Sequence, residues 1–479
     1  MEFESVIGLE VHVQLDTDSK IFCSAPAHFR ADPNRHIDEF TLGLPGALPV
    51  VNRKVVECAI MLGLAMNCSI KRLSRFARKH YFYPDLPKGY QISQFEEPIC
   101  TAGHLRLRYQ DSERQIGITR IHMEEDAGKT IHHTSQHCST IDLNRAGVPL
   151  LEIVSQPDIR SPGEAAEYMR TIRQLVRYLR ISDGNMQEGS LRCDANISLR
   201  PVGSMEFGAR TEIKNINSFK FVERALEYEI ARQLALLKQN QEVGQETRLF
   251  DSETGTTHLM RTKEESADYR YFPDPDLPPL IIEESWINEI RNHMPALPDE
   301  RKAKFTDIFG LSDYDALVLT SEAEYADYFE EVFGVCSNAK AASSWISSEL
   351  FGRLNKEGMQ LSDSRVSAAM LGELIALLDA EVISGKMAKV VFDEMWISGE
   401  AAQAIVDARG LRLISDPDEV RPYVLQALEG TEKQIAEYHE GNQKVISFFV
   451  GNVMKLTQGN ASPRTVNEIL KEELDKRKP

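Results

Sequence analysis

The residues best placed to do chemistry are acids in apolar surroundings. Between Ile121 and Asp158, in IHMEEDAGKT and DLNRAGVPLLEIVSQPD, the acids Glu124, Glu125, Asp126 and Glu152 sit among residues of strand type. Carboxylates rarely enter such surroundings unless they are paired or hold a metal. A second group lies in ESVIGLEVHVQL, where Glu10 and His12 stand two apart on an alternating stretch and so project from one face. Carboxylate oxygens with one imidazole suit Mg²⁺ or Mn²⁺ better than zinc. Such an ion neutralises phosphate charge while a phosphoryl group transfers. Alone, His12 would read as an ordinary half-buried histidine and the acids as strand-edge residues; together on separate apolar strands they favour a metal. Glu124 and Glu125 remain tied, because neighbours on a strand point to opposite faces.

A further polar set is Glu188, Arg192 and Asp194 with Glu212, Lys214, Asn215 and Asn217, alternating along two strands. It could line a cleft for a nucleotide or sugar, or could be a solvated sheet face. Ala127-Gly128-Lys129-Thr130 ends like a phosphate-binding loop, but Met123 stands where that loop needs its first glycine, so a Walker-type site is rejected. Neither a G-x-S-x-G elbow nor a cysteine in a catalytic setting is present. The stretch KRLSRFARKHYFYPDLPK, Lys71–Lys88, interleaves cations with aromatics, which suits phosphate contact and base stacking as well as it suits a basic loop with buried rings.

The elements that must hold these groups are legible. Ile7, Leu9, Val11, Val13 and Leu15 alternate as a half-buried strand, and another strand is expected near Ile116–Met123. Ser161-Pro162-Gly163-Glu164 begins a long helix with a cap, a first-turn proline and a capping-box glutamate. GSLRCDANISLR and RTEIKNIN read as paired strands, followed by a helix from about Phe219 to Lys238. Hairpins with a few long helices favour an α+β fold, with an antiparallel sheet in the first part. Proline punctuation in DPDLPP and MPALP, then an Ala, Glu, Leu and Ser texture, puts a domain limit near 294, and a softer one falls near Gly399–Gly410, giving domains 1–293, 294–404 and 405–479, the last two helical.

With 479 residues the chain has room for two or three cores. Its formal net charge of −18 argues against nucleic-acid binding through overall charge, leaving local patches. Seven scattered cysteines without a CxxC pair give no disulfide framework and no four-cysteine zinc site. No apolar run nears the ~20 residues of a membrane helix, and MEFESVIGLE carries no secretory or organellar address. A cytoplasmic protein without a membrane partner is expected.

With these residues in view, the chain resembles the GatB family, the B subunits of the tRNA-dependent amidotransferases. The resemblance rests on IGLEVHVQL, LGLPGALPV, KHYFYPDLPKGYQISQ, IHMEEDAGK, DLNRAGVPLLEIVSQPD, EGSLRCDANISLRP, TEIKNINSFKFVERALEYE, DYRYFPDPDLPPL and FFVGNVMKLTQGNASP. It implies a ligase that uses ATP and Mg²⁺ to phosphorylate the side-chain carboxylate of Glu-tRNA(Gln) or Asp-tRNA(Asn). Ammonia sent by a partner amidase, GatA, then displaces the phosphate, and a small third protein, GatC, completes a heterotrimer. It also implies a cradle-shaped catalytic domain, a helical domain and a YqeY-like tail that reaches for tRNA. By the family pattern Glu10, His12, Glu125 and Glu152 neighbour the metal. Glu188, Arg192, Asp194, Lys214 and Asn215 are the candidates for the nucleotide, and Lys79, Tyr81 and Lys88 for the tRNA acceptor end. The competing reading is a tRNA-binding scaffold without its own chemistry. One departure from the family is plain: many members carry two cysteine pairs for zinc between Phe22 and Leu44, whereas this chain keeps only Cys23 there. No structural zinc is expected, and the loop should be held by packing alone.

Overall fold

Three helices and one large sheet organise the first part of the chain. The computed structural model describes residues 2–28, 31–110, 112–133, 138–262, 269–440 and 442–477. The chain divides into two compact units, Met1–Pro298 and Asp299–Pro479.

The sheet of the first unit has nine strands: β1 (Phe3–Gln14), β2 (Ser69–Ile70), β3 (Cys100–Tyr109), β4 (Ser112–Glu125), β5 (Pro149–Ser155), β6 (Leu191–Pro201), β7 (Thr211–Ile216), β8 (Glu246–Asp251) and β9 (Thr256–Thr262). Their order is β9-β8-β7-β6-β1-β5-β4-β3-β2, with β1 central. The β7–β8 pair is parallel and the other pairings are antiparallel, as an α+β fold requires.

Helices α1 (Arg53–Ala65), α2 (Pro162–Tyr178) and α3 (Phe219–Lys238) pack on the sheet. The buried face of β1 (Ile7, Leu9, Val11 and Val13) meets them in one core. At this spacing each strand sends alternate residues into the core, and the intervening polar ones to the opposite face. The start of α2 differs in detail from the expected capping box. Ser161 does cap the Glu164 N–H at 3.2 Å, but the Glu164 carboxylate accepts from the Arg160 N–H at 2.7 Å and pairs with Arg114. Serving Arg160 and Arg114 ties the helix start to β4.

A three-stranded sheet of Ala77–His80, Tyr90–Ser93 and Arg270–Pro273 stands at the end of β4. It carries Arg78, Lys79 and His80 of the Lys71–Lys88 stretch, with Tyr81, Phe82 and Tyr83 following directly after its first strand. The second unit is helical, with one apolar cluster running from Phe305 to Val406 and another from Val420 to Leu474. Among the described residues no helix is long and apolar enough to cross a membrane.

Candidate active site

Strand register assembles the site. His12 of β1 lies opposite Glu152 of β5 and Arg192 of β6, and Glu152 lies opposite His122 of β4. One transverse row therefore reads Arg192, His12, Glu152, His122, all turned away from the helices. The neighbouring row carries Asp194 and Glu10.

His12 Nε2 lies 3.2 Å from Glu152 Oε2 and 3.5 Å from Glu124 Oε1. His122 Nε2 lies 3.3 Å from Glu152 Oε2 and 3.7 Å from Glu124 Oε2. One ligand atom each from His12, Glu124 and Glu152 falls within a 4.8 Å spread, a fit for a hard divalent cation. Burial pulls both imidazoles down, but the adjoining carboxylates outweigh it; His12 rises above its ordinary value and His122 is pushed up to about 9. Burial likewise favours protonated glutamates, yet the imidazoles win and hold Glu124 and Glu152 below the usual carboxylate range. Glu10 goes the other way. Burial, helped by the Glu152 charge, raises it against an Asn196 hydrogen bond of 2.9 Å.

The expected choice of Glu125 is not what the side chains do. Glu125 points away from the cluster and is fully buried, taking Lys88 Nζ at 2.9 Å and the Ile92 N–H at 2.9 Å. Glu124 holds the place beside the histidines. The same pair occupies Lys88, expected as an acceptor-end contact: its side chain is 7% exposed and paired with Glu125. Much of the charge in the Lys71–Lys88 stretch is consumed similarly, Arg78 by Asp274 and Asp276 and Arg72 by Glu283 and Glu284.

Lys79 differs. Its Nζ sits 4.8 Å above the Tyr269 ring, and although burial opposes its charge, Glu124 and Glu152 raise its pKa. Tyr81 stacks edge-on to Tyr269 at 5.9 Å, and burial with the nearby acids raises its phenol.

The polar set on β6 and β7 comes together only in part. Arg192 pairs with Asp126, which Arg145 also approaches at 3.5 Å. Lys214 bridges Asp194 at 2.6 Å and Glu212 at 2.8 Å. Asn215 is not brought to this face. It sits where the β6–β7 register shifts, at φ +68°, with its amide donating to the Phe250 carbonyl at 3.0 Å. Glu188 lies on an exposed turn, its N–H on Asn185 Oδ1 at 3.2 Å. His122 was missed from sequence, although its place two residues before Glu124 puts it on the same face.

The loop after Phe22 is not held by packing alone. Asn144 Oδ1 accepts the Arg35 and His36 N–H groups at 2.8 Å each, and Asn144 Nδ2 donates to the Asp32 carbonyl at 2.8 Å. Burial pushes the Cys23 thiol up to about 12. Lys20 is fully buried beneath this loop, donating to the His36 carbonyl at 2.6 Å. Burial lowers it from 10.5 to about 8, so between those values the unfolded chain binds more protons and folded-state stability rises with pH. We predict that wild type gains roughly 3 kcal/mol over Lys20→Met from pH 8 to 10.5. Urea unfolding across that range checks it, and a flat difference would refute it.

A family model described as the GatB/GatE catalytic domain matches residues 5–288, and one described as the GatB domain matches residues 327–474. The chain is 55% identical over 474 residues to the B subunit of the aspartyl/glutamyl-tRNA(Asn/Gln) amidotransferase of Trichlorobacter lovleyi, spanning 99% of this chain and 100% of that protein. Proteins of the same name from Thermodesulfovibrio yellowstonii and Persephonella marina are 52% identical over 470 residues and 51% over 473, each spanning 98% of this chain and 99% of the relative. With its sheet covered by the first family model and relatives more than half identical along almost its entire length, the chain belongs to the GatB family of amidotransferase B subunits.

Proposed function

We propose that the open sheet face activates and amidates the side-chain carboxylate of a tRNA-linked glutamate or aspartate. A carboxylate is a poor acyl donor until one oxygen leaves as phosphate, and ATP supplies that phosphoryl group. Ammonia then attacks the acyl carbon and phosphate departs, leaving Gln-tRNA(Gln) or Asn-tRNA(Asn). The observation that carries the reading is the clustering of His12, Glu124 and Glu152 donors. Held by these three, Mg²⁺ would supply charge neutralisation for the phosphates.

The remaining residues bind and orient. Lys79 directs an ammonium toward the cluster and serves an incoming carboxylate or phosphate. Arg192, steadied by Asp126, lines the same row from β6. Glu10, poised above the usual carboxylate range by burial, stands beside His12 as a further metal neighbour. Tyr81 and the exposed rings of Phe82 and Tyr83 offer faces on which unpaired nucleotides of the acceptor end can stack. Ammonia comes from a GatA amidase partner, with GatC as the third protein of the complex, in the cytoplasm. The C-terminal segment, 405–479, contacts the tRNA body, and no structural zinc takes part.

The test uses the chain co-expressed with GatA and GatC, with the glutaminase inactivated. Glu-tRNA(Gln), ATP, Mg²⁺ and ammonium chloride are supplied. ATP-dependent formation of Gln-tRNA(Gln) is expected. If neither Glu-tRNA(Gln) nor Asp-tRNA(Asn) is amidated while both still bind, the scaffold reading replaces this one.

A further inference from the structure

Among the described residues, three buried nitrogens without a hydrogen-bond partner belong to side chains on the sheet face away from the helices: Arg120 Nε, His122 Nδ1 and Arg192 Nε. Arg192 has Asp126 for Nη2, and His122 has the two glutamates for Nε2. Arg120 has neither a hydrogen bond nor an ion pair with any side chain among the described residues. A buried donor left without an acceptor is costly, so native proteins seldom keep one without a use.

Backbone irregularity aims this arginine. The β4–β5 register shifts between Val154 and Ser155, which pair with Arg120 and Ile118, so Thr119 is an extra residue on β4. Ile116 and Ile118 before the shift, and Ile121 and Met123 after it, all face the core. Arg120 is thereby turned to the open face with His122 and Glu124, one strand repeat, about 7 Å, from His122. In its transverse row Val154 separates Arg120 from Glu10. The face is rich in acids, and none of them is bonded to this guanidinium.

We propose that Arg120 binds the phosphate chain of the nucleotide. A guanidinium fork matches phosphate oxygens in pairs, and one that is unspent within the protein is available to them. Glutamates and His12 on one side of the face suit a cation, while Arg120 on the other suits anionic oxygens. A metal-bound polyphosphate satisfies both at once. This assignment rests on the nucleotide reading above. The same chemistry could serve a phosphate of the tRNA backbone, which the test separates.

Binding of ATP, ADP and adenosine to the full chain would be measured with Mg²⁺ by calorimetry, and binding of tRNA alongside. In Arg120→Ala, affinity for ATP and ADP should fall roughly tenfold to hundredfold, with adenosine and tRNA unchanged. Arg120→Lys should fall between, because it keeps the charge without the fork. Should the alanine variant fail to fold, as judged by circular dichroism, Arg120→Gln gives the same comparison. ATP affinity equal to wild type in the variants overturns the assignment, as does loss of tRNA binding alone. A wild-type chain that binds no ATP would overturn the nucleotide reading itself and this assignment with it.

Discussion

Glu124→Gln should slow metal-dependent amidation severely, whereas Glu125→Gln should not act through the metal. Glu124 is one of three side chains whose donors converge within 4.8 Å, and its neighbours His12 and His122 already lean on its charge. Replacing one oxygen by an amide removes a ligand charge while keeping the shape, so the loss of rate should be roughly 10²–10³-fold. Mn²⁺ affinity, read by electron paramagnetic resonance, should fall by roughly ten- to a hundredfold in parallel. The Glu125 carboxylate instead faces Lys88 and the Ile92 N–H, so Mn²⁺ affinity in Glu125→Gln should stay within about threefold of wild type. The reverse pattern, metal lost with Glu125 and kept with Glu124, would restore the assignment made by family pattern.

Lys88→Met is the second large effect, and it falls on stability. Both partners of the Lys88–Glu125 pair are almost wholly withdrawn from water, at 7% and 1% side-chain exposure. Removing the lysine strands a buried carboxylate with the Ile92 N–H as its remaining partner on Oε1, which should cost about 3–5 kcal/mol. The double variant Lys88→Met/Glu125→Gln should recover part of that loss, because the uncompensated charge is gone. Urea unfolding of the four proteins in the cycle measures the coupling. Strict additivity would mean that the pair carries no interaction energy. A Lys88→Met chain of wild-type stability that binds tRNA poorly would return Lys88 to the role expected from sequence.

These two residues illustrate what sequence and structure each decided. The alternation in β1, the cap at Ser161, and the helix at Phe219–Lys238 were readable because they depend on neighbours three or four residues away at most. For the same reason Glu10, His12 and Glu152 could be placed on strand faces. The family was legible too, from long motifs shared along the chain.

The choice between Glu124 and Glu125 was not legible. Both are on one strand, and alternation says only that they point oppositely. Which direction is open depends on where α1, α2 and α3 pack, and on Ile92 of the small sheet and Lys88 of the turn before its second strand closing over Glu125. The fate of each cation in the Lys71–Lys88 stretch depended on acids up to about two hundred residues away, such as Asp274 and Glu284. Asn215 left the site because of a register shift, and Arg120 entered it through another. Local sequence sets the period of a strand, whereas the pairing of distant strands sets its phase. A charge in a low-dielectric interior must find a partner, and only the folded chain decides which one it finds.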